Sequence, residues 1–320
     1  MKRFFMLLMT LVFAVSGLSG CGGGERVSDE KISVVCTMFS QYDWTREIIK
    51  GAEDKIDLEL ICDNGSDFHS YQPTADDIIA LDLADIAIYT DGASDGWVSE
   101  ALKKSDKRKR EIRLLEIFCD EEIHDDVDEA FYHEHKGEYA HVDYDEHVWL
   151  SIENAEEICE EIAEKLIELD PENKILYNKN LEAYKDELER LDDEYEKTVR
   201  SSKYKTLLFA DRFPFKYLLE DYNIAYYAAF PGCSAESEAS FETVAFLSKK
   251  LEEEKLPAVM TVDNGSDELA KTVINNAGAG NVKIISMNSL QSTTKQQLES
   301  GMSYLSAMRD NLSAIKEALN

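Results

Sequence analysis

Residues 170–202 read DPENKILYNKNLEAYKDELERLDDEYEKTVRSS, and this stretch constrains the fold more than any other. Asp170 and Pro171 supply a cap and a first helical position. Apolar side chains then recur at Tyr177, Leu181, Tyr184, Leu188, Leu191, Tyr195 and Val199, in steps of four and three. That is the stripe of one long amphipathic helix. At ~1.5 Å per residue, about thirty residues span about 45 Å. The stripe covers only about four heptads and runs into a strand pattern, so a packed spine is expected rather than a coiled coil. A rod of this length joins what lies on either side of it stiffly.

Short apolar and β-branched runs flank the rod in two matching sets. Before it come KISVVCTM (31–38), DLELIC (57–62), DIAIY (85–89) and IRLLEI (112–117). After it come KTLLFA (205–210), IAYYAA (224–229), PAVMTV (257–262) and VKIIS (282–286). Helical patterns separate the runs, which predicts an α/β protein of two lobes, each with a four-stranded parallel sheet flanked by helices. The expected boundaries are an N-terminal lobe over 31–169, the linking helix over 170–202 and a C-terminal lobe over 203–320.

The N-terminus, MKRFFMLLMTLVFAVSGLSGC, has two cations, an apolar run from Phe4 to Val15 and small residues up to Cys21. The run is too short to span a membrane and has the layout of a secretory signal. Leu18-Ser19-Gly20-Cys21 resembles a bacterial lipobox, so residues 1–21 are expected to act as a lipoprotein signal. Cys21 would be lipidated and anchor the chain on the outer face of the cytoplasmic membrane, and 22–30 would be a tether. Net charge is −31, and removal of Lys2 and Arg3 with the signal takes it to about −33. Nucleic-acid binders carry a basic face, so nucleic acid is excluded as a partner. Cys36, Cys62, Cys119, Cys159 and Cys233 show no CxxC spacing. Cys36, Cys159 and Cys233 sit among apolar residues and are expected to be buried. Residues 118–146 hold twelve Asp or Glu with His124, His133, His135 and His141 among them, and predict a mobile acidic surface loop.

Open parallel sheets bind ligands beyond the carboxyl ends of their strands. After the second run comes DNGSDFHSYQPTADDI, with His69 in the loop and Pro73-Thr74-x-x-Asp77 as a capping box. After the fourth run and the acidic loop comes His147, at the first turn of the helix that begins VWLSIENA. Asp211 follows the first strand of the second set, and Asp263 follows its third. Two imidazoles from one half and one or two carboxylates from the other suit a divalent transition metal, Zn²⁺ or alternatively Mn²⁺. The second ring nitrogen of His147 should donate to a carboxylate or carbonyl, with Asp145 and Glu146 as the two candidates.

SDFHSYQPTADD, DEHVWLSIENA and ADRFPFKYLLEDYNI together resemble the signature segments of the metal-binding lipoproteins of zinc and manganese ABC importers, the cluster A-I family. Relatives commonly show Asp-Pro-His-Ser-Tyr-Glu-Pro-Thr at the first segment and Pro-His-Val-Trp-Leu at the second. The resemblance covers essentially the whole mature chain. It implies that His69 and His147 are metal ligands, and that the third ligand follows the first strand of the second lobe. Zinc-type relatives have His there and manganese-type relatives Glu, whereas this chain has Asp211. The fourth ligand in relatives is often a carboxylate after the last strand; here ISMNSLQSTT offers Asn288 instead. Asp263, water or a residue of the acidic loop are the alternatives. Glu238 matches a glutamate common in the family that supports rather than ligates.

The resemblance implies a monomeric extracytoplasmic receptor that hands Zn²⁺ to an ABC permease and is not an enzyme. A metallohydrolase is the first rival, but HExxH, GxSxG and P-loop patterns are missing from the sequence. An adhesin-type lipoprotein with incidental metal binding is the second.

Overall fold

The computed structural model describes residues 31–103, 110–118, 145–230 and 239–320. The expected signal, lipobox Cys21, tether, Cys119, Cys233, Glu238 and most of the acidic loop lie outside these residues. Lys31–Asn320 forms one compact unit.

The first parallel sheet contains β1 (Ile32–Cys36), β2 (Ile56–Leu60), β3 (Ile86–Tyr89) and β4 (Arg110–Arg113), in the order β2-β1-β3-β4. The second contains β5 (Thr206–Phe209), β6 (Ala225–Ala228), β7 (Ala258–Val262) and β8 (Lys283–Met287), in the order β6-β5-β7-β8. Each of the eight expected runs therefore seeds a strand. β3 and β7 are buried at every residue, as befits interior strands of sheets covered on both faces. One run is shorter than its pattern: after Arg113 the chain turns into a helix, so Leu114–Phe118 leaves the sheet. The Leu115 amide bonds the Thr90 carbonyl at the end of β3 (3.1 Å). Leu-Leu-Glu-Ile-Phe is a run of residues that fit either state, and its tertiary contacts decide between them.

Helices α1 (Phe39–Ile48), α2 (Ala75–Leu83), α3 (Trp97–Leu102), α4 (Leu114–Phe118) and α5 (Ile152–Leu169) accompany the first sheet. The rod is α6 (Lys174–Ser201), preceded by a 3₁₀ turn at Pro171–Asn173. Then come α7 (Lys216–Asp221), α8 (Phe241–Glu254), α9 (Glu268–Asn276), α10 (Lys295–Glu299) and α11 (Tyr304–Ala318). Asp170 does not cap the helix backbone; its carboxylate accepts from Asn173 Nδ2 (2.6 Å) and Tyr177 Oη (2.8 Å). The buried residues of α6 are the seven of the apolar stripe. They join one hydrophobic cluster that runs from Val34 and Ile88 of the first sheet to Phe209 and Met260 of the second. Asn180 Nδ2 donates to the carbonyls of Ile48 (2.9 Å) and Lys50 (2.7 Å), and Tyr195 Oη donates to that of Met308 (2.6 Å). The rod is thus fastened to α1 at one end and to α11 at the other.

Asp221, the last residue of α7, has one carboxylate oxygen buried without a hydrogen-bond partner. Burial pushes this carboxyl up to about 7; a hydrogen bond from Ser151 opposes the shift, and the charges of Glu153, Asp192 and Glu220 add to it. The folded chain holds this proton more tightly than the unfolded chain, whose carboxyl titrates near ~3.9. Stability is therefore lost as pH rises from about 4 through about 7. Asp221→Asn is expected to stabilise the protein by about 1 kcal/mol at pH 8, a value reduced for solvent screening of a partly exposed group. Urea unfolding at pH 8 and pH 4 checks this: an equal gain at both would reject the titration of Asp221 as its cause.

Candidate metal centre

His69 is placed by a loop that reaches from the end of β2 to the far half of the molecule. Gly65, at φ +78°, makes the turn, and a Cβ there would lie 2.6 Å from Thr294 Cγ2. The Gly65 amide bonds the Thr293 carbonyl (3.1 Å), and the Phe68 amide bonds that of Gln291 (3.0 Å). Asp67 then does two things. One oxygen accepts from the His69 amide (3.0 Å), and the other pairs with Arg212 Nη1 (2.7 Å) just after β5. Beyond His69, Thr74 Oγ1 accepts from the Asp77 amide (3.2 Å) and Asp77 accepts from the Thr74 amide (2.6 Å), which is the expected capping box of α2.

His147 does not open a helix as its sequence predicts. It precedes a separate 3₁₀ turn, Val148–Leu150, and α5 begins only after Ser151, whose Oγ accepts from the Asn154 amide (3.0 Å). Ser151 is the better cap, so the helix starts at the residue that satisfies its exposed amides. Trp149 is fully buried, and its Nε1 donates to the Ser289 carbonyl in the second half (3.0 Å). Its ring lies 5.0 Å from that of His147 and 6.1 Å from that of Phe68. His147 is 3 % exposed, so packing fixes its ring on one side.

The two carboxylates before His147, placed at the end of the acidic loop by sequence, divide between the histidines. Asp145 Oδ1 accepts from the backbone amide of His147 (2.9 Å) and pairs with its Nδ1 (2.6 Å). Glu146 is buried and lies 3.1 Å from Nδ1 of His69, with Ser94 Oγ beside the same ring nitrogen. Burial pushes the Glu146 carboxyl up, but hydrogen bonds from His69 and from the Ser94 side chain and amide outweigh it and hold the group down at about 2. A carboxylate stands at each Nδ1, so each Nδ1 is placed to carry a proton toward it, and the two Nε2 atoms face each other.

Those two Nε2 atoms are 3.2 Å apart. Two nitrogens bound at ~2.0–2.1 Å to a tetrahedral Zn²⁺ would be separated by about 3.3 Å. The spacing matches one edge of such a tetrahedron and equally an N–H···N hydrogen bond between the rings.

The carboxylates of the second half are held differently. Asp211 Oδ1 accepts from the Arg212 amide (2.8 Å) and Oδ2 from the Val262 amide (3.1 Å). A Cβ on Gly265 would sit 2.3 Å from Asp211 Oδ2, so that glycine makes room for the carboxylate. Asp263 Oδ1 accepts from the Ser289 amide (2.6 Å), and burial raises its carboxyl above the usual range, with the charge of Asp67 adding to the effect. Asn288 uses its side chain to accept from the Leu290 amide (2.8 Å), bracing its own turn. The structure brings His69 and His147 together; among the described residues no three His, Cys, Asp or Glu gather around one point.

A family model described as "Zinc-uptake complex component A periplasmic", ZnuA, matches residues 34–318. The chain belongs to the ZnuA family. Among curated relatives, the zinc-binding lipoprotein AdcA of Streptococcus pneumoniae is 29% identical over 318 residues, 99% of this chain and 61% of AdcA. This chain thus spans less than two thirds of AdcA. The manganese ABC transporter substrate-binding lipoprotein PsaA of Streptococcus pneumoniae is 30% identical over 327 residues, covering 100% of both chains. Among solved structures, the Zn(II)-bound ZnuA-like domain of Streptococcus pneumoniae AdcA superposes with a TM-score of 0.70 at 26% identity, covering 91% of this chain and 99% of that one.

In this member of the ZnuA family, sequence reasoning overlooked Ser94 and Gly92. Both lie in TDGASDG directly after β3, beyond the carboxyl end of an interior strand. The rule that drew attention to the other strand ends applies there too. The segment holds no imidazole to mark it in the sequence, and it seats the carboxylate of Glu146.

Proposed function

We propose that this chain is an extracytoplasmic receptor that captures a divalent transition metal, Zn²⁺ in preference to Mn²⁺, and delivers it to an ABC permease. In this reading it acts as a monomer tethered to the membrane through lipidated Cys21 and performs no catalysis. Membership of the ZnuA family supports the transport role. The single observation that carries metal capture is the 3.2 Å approach of the His69 and His147 Nε2 atoms. The ligand set is His69 and His147 with Asp211 and Asp263. Each aspartate oxygen that accepts one backbone amide keeps a second lone pair for a cation. Drawing at least one of these carboxylates onto the histidine pair is then part of capture. Imidazole nitrogens favour Zn²⁺, while a carboxylate-rich remainder is the feature that keeps Mn²⁺ as the alternative cargo.

Titration of the metal-free protein with Zn²⁺ and Mn²⁺ in competition tests this. One equivalent of Zn²⁺ is expected to bind and to displace Mn²⁺. At 100-fold excess over Kd it should stabilise the fold by about 2.7 kcal/mol. Failure of both ions to bind would remove the proposal, and displacement of Zn²⁺ by Mn²⁺ would reverse the choice of cargo.

A further inference from the structure

Glu146 directly precedes His147 in the chain, yet its carboxylate lies against His69. Its surroundings are built to hold a carboxylate. Ser94 donates to it twice, from Oγ to Oε1 (2.6 Å) and from the backbone amide to Oε2 (3.0 Å). The slot exists because residue 92 is glycine: a Cβ there would lie 2.2 Å from Glu146 Oε2 and 2.7 Å from its Cβ. Oε1, already held by Ser94, lies 3.1 Å from His69 Nδ1. The neighbouring Asp145 serves the other ring, at 2.6 Å from His147 Nδ1. Sequence-adjacent carboxylates therefore orient imidazoles that come from two separate loops.

We infer that Glu146, seated by Ser94 in the slot left by Gly92, is a positioning residue that fixes the Nδ1–H form of His69 and aims its Nε2 at the shared metal position beside His147. The inference rests on the metal-capture reading for its consequence, but not for its geometry. A histidine ligand whose far nitrogen is bonded to a carboxylate keeps its ring orientation and becomes a stronger donor.

The test reads the ring before any metal is added. Long-range ¹H–¹⁵N spectra of the metal-free protein are expected to show His69 in the Nδ1–H form in the wild type and mainly so in Glu146→Gln, whose oxygen still accepts at the Oε1 position while its NH2 meets the Ser94 amide. Glu146→Ala is expected to show a mixture of tautomers. Gly92→Ala, which leaves Glu146 in place but pushes its carboxylate out of the slot, should give the same mixture. Zn²⁺ affinity should fall about 10- to 100-fold in Glu146→Ala and Gly92→Ala, and be largely kept in Glu146→Gln. An unchanged His69 tautomer in both Glu146→Ala and Gly92→Ala overturns the inference, as does a shifted tautomer with wild-type Zn²⁺ affinity. If Glu146→Ala does not fold, the Gly92→Ala and Glu146→Gln spectra decide alone. A wild type that shows the Nδ1–H form yet binds no metal would overturn the capture proposal and leave the orientation of His69 standing.

Discussion

His69→Ala should reduce Zn²⁺ affinity by more than about 100-fold. Four-ligand zinc sites bind with about 10–16 kcal/mol in total, so one ligand accounts for roughly 3 kcal/mol, which is about two decades in Kd. The loss should be specific to binding. His69 sits in a loop with its side chain 18 % exposed, so its removal leaves no large cavity in the core. Metal-free melting is accordingly expected to stay close to wild type, within about 1 kcal/mol. His147→Ala should lose at least as much affinity, because it also takes the ring donor away from the half-buried Asp145. Competition against a chromophoric chelator reads both variants. Wild-type affinity in either one would mean that the 3.2 Å approach of the two Nε2 atoms does not hold the cargo.

Trp149→Ala should be the most damaging change to the fold near the site. The ring is fully buried, packs edge-on to Phe68 and bonds the Ser289 carbonyl across the two halves. Truncating a buried tryptophan costs about 3–5 kcal/mol. In a chain of this size each kilocalorie lowers Tm by about 2–4 °C, so a drop of about 6–20 °C is expected. Trp149→Phe retains most of the packing and leaves only the Ser289 carbonyl without its donor, so it should cost about 1–2 kcal/mol. Metal binding should follow the same order, because the ring flanks His147 at 5.0 Å. Urea unfolding measured without metal separates the effects. Equal stability of Trp149→Ala and wild type would show that the two halves are not held together here.

The two halves and their joining rod were legible because their signals are local. A helical stripe at Tyr177 through Val199 repeats with a period set by the backbone, and those same residues are the buried ones. Runs such as AVMTV and IAIY are buried at every residue and almost wholly apolar because strands covered on both faces have no solvent side to show. Where a segment fits two states, as at Leu114–Phe118, local pattern cannot choose, and the chain becomes a helix where a continued strand was expected. The start of α5 is a similar case: Val148-Trp149-Leu150 reads as a first helical turn until Ser151 is seen to be the cap.

The sequence by itself determined two parallel sheets, the rod between them, and the connecting segments that carry His69, His147, Asp211 and Asp263. Periodicity, capping and the strand-end rule all act over a few residues, so they survive in one dimension. Only the tertiary structure decided that Glu146 belongs to His69 and Asp145 to His147, that Ser94 and Gly92 form the seat between them, and that backbone amides hold Asp211 and Asp263. Apart from the local pairing of Asp145 with His147 and of Asp211 with the Arg212 amide, those contacts join residues far apart in the chain, as Ser94 and Glu146 are, fifty-two positions from each other. Which lone pair meets which proton over such a separation depends on how the loops pack, and no local preference encodes it.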